Sequence, residues 1–180
     1  MHKTMTLEFE LNEQDFLDFQ LFAASQSKRI AKNKFISYLL AILIVGAFAV
    51  LCYLKNSIAM FYGFSFTMIV LAIFYPKYTA WRYKRHYKSY IKENFSYRFG
   101  EKVHIEIGNQ TIFCKDKTGE GTINISEIEK IDETENHFFV KIKSGISLII
   151  PKQSTQISDE IRTTFETLNF VINRVKISNH

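Results

Sequence analysis

Two uncharged apolar runs, two residues apart, constrain this chain more than any other feature. Phe35–Leu54 reads FISYLLAILIVGAFAVLCYL and Ser57–Tyr75 reads SIAMFYGFSFTMIVLAIFY, with only Lys55 and Asn56 between them. A helix rises about 1.5 Å per residue, so each run is long enough to span the roughly 30 Å hydrocarbon core of a bilayer. The short gap makes the chain turn back at once. The expected element is a transmembrane helical hairpin, helix 1 over 35–54 and helix 2 over 57–75, with both ends on one side. Two buried core helices of a soluble fold would need a shell of polar-faced helices, and the remaining chain mostly has strand patterning. Average composition conceals all this: 180 residues, 47% hydrophobic and 23% charged, would pass for an ordinary soluble domain. The length excludes a large multi-domain enzyme, and 17 Phe and 9 Tyr exclude a disordered chain.

Orientation follows from the basic residues beside the runs. Lys28, Arg29, Lys32 and Lys34 precede the first; Lys77, Arg82, Lys84, Arg85, Lys88 and Lys92 follow the second; the turn has Lys55 alone. Both termini are therefore expected in the cytoplasm, the hairpin lying in the cell (plasma) membrane. No cleavable signal peptide is expected, because the first apolar run starts late and is too long for one. The formal charge of +5 invites a nucleic-acid reading, but the excess is local. Residues 76–102 carry eight basic and two acidic side chains, whereas 103–180 are slightly acidic. A basic juxtamembrane segment suits anionic lipid headgroups at about 1 kcal/mol per residue near the surface. Lys28, Arg29, Lys32, Lys34, Lys77, Trp81, Arg82, Lys84, Arg85 and Lys88 are the candidate membrane-surface residues. Trp81, Tyr83, Tyr87, Tyr90, Ile91 and Phe95 fit one helical face better than stacked bases, so no nucleic-acid partner is expected.

Outside the runs, Asn12 can cap a helix carrying Phe16, Phe19, Phe22 or Ala23, and Ile30 on one side. A cytoplasmic helix over 12–34 and a basic juxtamembrane helix over 76–98 would extend the hairpin into two arms, about 13–54 and 57–98. Their outer halves would project roughly 30 Å as a stalk. The alternative is a break near Lys28 or Pro76, with the outer halves lying along the membrane. Pro76 should at least kink the second arm.

Met5–Leu11 alternates, with Leu7, Phe9 and Leu11 on one face, and a lone strand must pair with something later. Candidate partners are Lys102–Ile107, a Gly108–Asn109 turn, Gln110–Lys115, Gly121–Ile125, Glu127–Asp132, His137–Lys143 and Ile146–Pro151. An amphipathic helix at Thr155–Asn169 presents Ile157, Ile161, Phe165 and Leu168. The expected fold class is α+β: a small pleckstrin-homology-like (PH-like) antiparallel barrel of about seven strands plus a C-terminal helix. Residues 5–11 and 102–169 would form it, with the hairpin inserted between its first and second strands.

Several segments carry a family resemblance across most of the chain. They are Phe16-Leu17-Asp18-Phe19-Gln20 with Ser25–Arg29, Gly119-Glu120-Gly121, Ser126-Glu127-Ile128 followed by Ile131, His137-Phe138-Phe139 within Glu133–Val140, and Ile149-Ile150-Pro151-Lys152. In order and spacing this resembles the YcxB-like bacterial membrane proteins. The resemblance implies a small barrel on a membrane hairpin and no assigned activity. One departure is that many members carry Trp just before the Ser-Glu-Ile segment, where this chain has Ile125.

Chemistry is sparse. Cys52 and Cys114 form no C-x-x-C and are expected on different sides of the span, so no disulfide is expected. Histidines 2, 86, 104, 137 and 180 lack metal-ligand spacing, although His104 and Cys114 could meet on the hairpin about Gly108–Asn109. Glycine patterns for nucleotides are missing; the Gly119–Gly121 pair belongs between strands. The acidic run Glu127, Glu129, Asp132, Glu133 and Glu135 reads as a solvated strand face. Lys115, Lys117 and Lys152 read as exposed loop residues. Ala59 and Gly63 form a small-xxx-small pair suited to close packing within the hairpin or between subunits. The expectation is a non-enzymatic, membrane-anchored interaction or regulatory module without cofactor or metal, contacting membrane lipids and a possible protein partner. The alternative is a hairpin subunit of an oligomeric channel or transporter, for which a homo-oligomer would be needed.

Overall fold

The structure is a computed structural model and describes residues 4–175. Its elements are β1 (Met5–Glu10), α1 (Glu13–Gln26), α2 (Lys28–Leu54), α3 (Ile58–Phe95), β2 (Lys102–Ile107), β3 (Thr111–Asp116), β4 (Gly119–Asn124), β5 (Ile128–Glu133), β6 (His137–Ile142), β7 (Ser147–Pro151), α4 (Thr155–Thr167) and β8 (Ile172–Arg174). The described residues divide into two units. Unit 1 holds 4–20 and 88–175, and unit 2 holds 21–87.

Unit 2 is an antiparallel helix pair. Its turn is a Schellman motif that the residue types explain. Asn56 takes the left-handed conformation (φ 55°), Ser57 N–H donates to the Cys52 carbonyl (2.9 Å), and Asn56 N–H donates to that of Tyr53 (3.0 Å). Across the pair, Phe48 stacks on Phe64 (5.7 Å), Tyr38 meets Tyr75 (5.7 Å), and Tyr53 meets Phe61 (5.5 Å). Gly46 faces Met68: a Cβ there would sit 3.8 Å from its sulfur, an ordinary contact distance. The outward faces stay bare. Phe35, Leu40, Leu43, Ile44, Leu54, Met60, Phe66 and Ile73 are each more than half exposed, and Ala49 is the sole buried residue of α2. Core helices of a soluble fold would be buried. Both helices are instead long and apolar enough to cross a membrane, and their most apolar windows are 6% and 0% buried.

The two arms do not match the symmetric expectation. The first is interrupted at Ser27, which sits in extended conformation and whose Oγ accepts from Ile30 N–H (3.4 Å), capping a new helix. The second runs through Pro76 without interruption to Phe95. Pro76 lacks the N–H that would bond the carbonyl four residues back. Thr79 Oγ1 donates to the Tyr75 and Pro76 carbonyls (3.0 and 2.8 Å) at that point.

Unit 1 is built on two four-stranded sheets, in the orders β1-β2-β3-β4 and β7-β6-β5-β8. The isolated N-terminal strand finds its partner across the helices: β1 pairs antiparallel with β2, Met5 opposite Ile107 and Phe9 opposite Val103. Three expectations are corrected. The sheets do not close into one barrel. An eighth strand exists, pairing parallel with β5 (Ile131 opposite Ile172); three residues are too few to show alternation. The β2–β3 turn is one residue later than expected, because Ile107 faces Ile112 and Gly108 N–H donates to Thr111 (2.9 Å), putting Asn109–Gln110 at the tip. α4 starts at Ser154, whose Oγ accepts from Ile157 N–H (3.2 Å), and buries Ile161 and Phe165 completely. It ends in a second Schellman turn at Asn169 (φ 63°), with Phe170 against Phe165.

Candidate functional site

The inner face of the first sheet can be read from its register. Ile107, Ile112 and Ile123 lie in one row, and Ile105, Cys114 and Gly121 in the next. Asp116 and Gly119 make the row beyond. The side chains thus thin out along β4, and a cleft of about 280 Å³ opens there. Phe16, Phe19 and Phe95 line it from the helices, Val103 and Ile105 from β2, and Leu148 and Ile149 from β7. β4 and β7 are the terminal strands of their sheets, which is why the cleft stays open at this edge.

Its polar groups are accounted for. Arg98 is bound to Asp116 and lies over the Phe16 ring (5.8 Å). Burial raises the Asp116 carboxyl, but hydrogen bonds from Thr118 and the Arg98 charge outweigh it and hold the carboxyl below its usual value. Burial, with Asp116 adding to it, pushes the Cys114 thiol up to about 11, so it stays neutral at physiological pH. His104 does not join Cys114: it faces Lys115 in the register, on the other side of the sheet. There it bridges Glu106 (2.9 Å) and Glu8 (3.2 Å), and these bonds, Glu106 first, raise its pKa.

Two buried polar clusters escaped the sequence reading. Glu133 is 5% exposed and receives Lys152 Nζ (2.7 Å) and Arg162 Nη2 (2.7 Å), with Arg174 Nε at 3.6 Å. Burial raises its carboxyl, yet hydrogen bonds from Arg162 and then Lys152 overcome that and hold it at about 2. Asp132 is buried beside Lys130 (2.7 Å). The expected solvated acidic face is therefore wrong at these two residues, because β8 and α4 cover the strand. Lys152 is correspondingly not a free loop cation; Lys115 pairs with Glu120 (3.3 Å), and Lys117 with Glu101. The second cluster joins α1 to β6. His137 Nε2 lies 2.7 Å from Asp15 Oδ1, while Asp15 Oδ2 accepts from Asn12 N–H (2.7 Å). Asn12 Oδ1 in turn accepts from Gln14 and Asp15 N–H (2.8 and 3.2 Å), completing a capping box. His137 Nδ1 is buried without a hydrogen bond, and Asp18 Oδ2 stands 3.9 Å from it. No group of three His, Cys, Asp or Glu side chains fit to hold a metal occurs among the described residues.

The candidate membrane-surface residues are brought together only in part. On α3, Lys77, Trp81, Lys84, Arg85 and Lys88 follow helical spacing along one exposed face, and Arg82 is exposed beside it. Arg85 lies over Trp81 (5.4 Å), while Lys88 reaches Glu13 (3.5 Å). Trp81 is therefore not on the face of Tyr83 and Tyr87, which are half-buried. On α2, Lys28, Arg29 and Lys32 are exposed, and Lys34 is drawn over the Tyr83 ring (4.2 Å). Ala59 and Gly63 are exposed, with nothing within 4 Å of a Cβ at 63, so they do not pack within the hairpin.

Fold and site together define a class: an α+β unit carrying two helices long and apolar enough to cross a membrane. The YcxB-like protein family matches residues 107–168, from the end of β2 to the end of α4, so the resemblance read from the sequence holds over that segment. No curated protein and no solved structure matches the chain.

Proposed function

We propose that this protein is a non-enzymatic interaction or regulatory module, anchored in a bacterial inner membrane by α2 and the first half of α3. Unit 1 then lies in the cytoplasm with both termini. The observation carrying this reading is the bare apolar surface of the hairpin, flanked on its open side by ten basic residues against one in the turn. A PH-like reading of unit 1 is supported by a four-strand meander, a three-strand meander and a helix in that order. A non-enzymatic role is supported by the buried carboxylate Glu133 being engaged by Lys152, Arg162 and Arg174, which ties β5, β7, α4 and β8 together within unit 1. The exposed basic face of α3 suits anionic headgroups.

Reporter fusions test the anchor: a C-terminal reporter active outside the inner membrane refutes it. In-cell crosslinking from unit 1 tests the module. Partners captured by the full chain and lost from a hairpin lacking unit 1 are the expected result; identical partners for both would refute an interaction role. The oligomeric channel alternative keeps one observation, the outward-facing Ala59 and Gly63. A strict monomer in detergent removes it.

A further inference from the structure

Gly121 has no structural reason to be glycine. Its φ is not positive, and a Cβ built on it meets nothing within 4 Å. Gly119, at φ 152°, is required by its backbone; Gly121 is not. Yet Gly121, exposed on the edge strand, stands opposite Cys114 in the row to which β1 and β2 contribute Leu7 and Ile105. Glycine inside a strand often marks a bulge, a bend or a close approach; the β3–β4 register is unbroken at Gly121, and among the described residues nothing approaches it. The volume left is about 280 Å³. A cavity of about 150 Å³ takes one benzene ring, so this one takes roughly ten to twelve carbon atoms.

Charge decides the kind of occupant. The basic residues at the cleft are Arg98, Lys115 and the adjacent Lys117, and they face Asp116, Glu120 and Glu101 respectively. Among the described residues each of these cations at the cleft has a carboxylate partner, so none is left over for an anionic or cationic head. Gln20 and Ser147 are the uncharged polar side chains of the lining apart from the Cys114 thiol. The remaining wall is aromatic and aliphatic, and burying an apolar chain against it gains about 25 cal/mol per Å².

We propose that the cleft between β4 and β7 is a binding site for the alkyl chain of an uncharged amphiphile of about ten carbons. This deepens the interaction-module reading and rests on it only in treating unit 1 as a binding unit; the membrane anchor is not needed. Cys114 reports occupancy, because it lines the cleft. The delipidated full chain in amphipol is treated with N-ethylmaleimide, with and without 1-decanol, and labelling of Cys114 is followed by peptide mass spectrometry, which separates it from Cys52.

The expected result is a saturable slowing of Cys114 labelling, threefold or more with decanol and less with decanoate or decylammonium. Gly121→Leu, whose side chain enters the same space, should label slowly with or without decanol. Gly121→Ala, which meets no atom, should fold and bind decanol more weakly than the native chain. Slowing below threefold in the native chain overturns the proposal, as does equal protection by decanoate or protection persisting in Gly121→Leu. Loss of decanol protection alongside intact crosslinked partners would refute this site and leave the module reading standing; the reverse would do the opposite.

Discussion

Removing the Glu133 charge should loosen the second sheet. The carboxylate is 5% exposed, and its partners Lys152 and Arg162 are 18% and 24% exposed, so water screens the cluster little. Its pKa stands at about 2 against an ordinary 4.5. At about 1.36 kcal/mol per unit, this corresponds to about 3 kcal/mol favouring the ionised folded state. Glu133→Gln forfeits that stabilisation and leaves the half-buried Lys152 and Arg162, with the exposed Arg174 beyond them, facing a neutral amide, a cost of about 2–4 kcal/mol. Hydrogen exchange of the detergent-solubilised full chain measures it: amides of β5 and β6 should exchange about 30-fold to several hundredfold faster. The native contribution is fully present above pH 4.5 and is lost as pH falls through about 2, because the folded pKa lies below the unfolded one. Glu133→Gln should lack that acid-side loss. Adding Arg162→Met to Glu133→Gln should cost less than the sum of the two changes, since the second removes a charge already stranded. A change in β5 exchange under threefold would refute the reasoning, showing that the ion pairs only offset their own desolvation.

Other residues give sharper local tests. Cys114, held at about 11 by burial, should react with iodoacetamide about a hundredfold more slowly at pH 8 than an ordinary thiol of pKa 9, with the rate still climbing at pH 10; a plateau near pH 9 would contradict its burial. Asn12→Ala removes one half of the capping box and should cost about 1 kcal/mol, read as roughly fivefold faster exchange at the start of α1. Asp15→Ala removes both the reciprocal cap and the partner of buried His137, so it should cost about 2–4 kcal/mol and disturb β6 as well; an effect confined to α1 would mean that the His137 contact contributes nothing. Asn56→Gly should be tolerated in the left-handed turn of the hairpin, whereas Asn56→Val should lower thermal stability in detergent by about 1 kcal/mol or more.

What was legible in the sequence is what depends on neighbours along the chain. Uncharged runs of twenty and nineteen residues declare helices with apolar surface all round. Alternation in Met5–Leu11 declares a strand, Asn12 declares a helix start, and Lys55–Asn56 declares the turn between the two runs. Two caps show the limit of this reading. Asn12 was readable as a start, whereas a break near Lys28 stood only as the alternative to a continuous arm, because Ser27 fits an unbroken helix as well as it fits a cap.

Tertiary structure decided the rest. Glu133 looks like a solvated acid until β8 and Arg162 arrive from residues 29 to 41 positions away, and no local pattern announces them. His137 meets Asp15 across 122 positions. Gly119-Glu120-Gly121 reads as turn glycines, yet the register turns Gly121 inward and leaves a cleft. The helix pair could be read from sequence alone because a long apolar helix satisfies its own backbone and needs only length and apolarity. Burial of a carboxylate and the opening of a cleft are properties of pairs distant in sequence, so they exist only once the sheets have assembled.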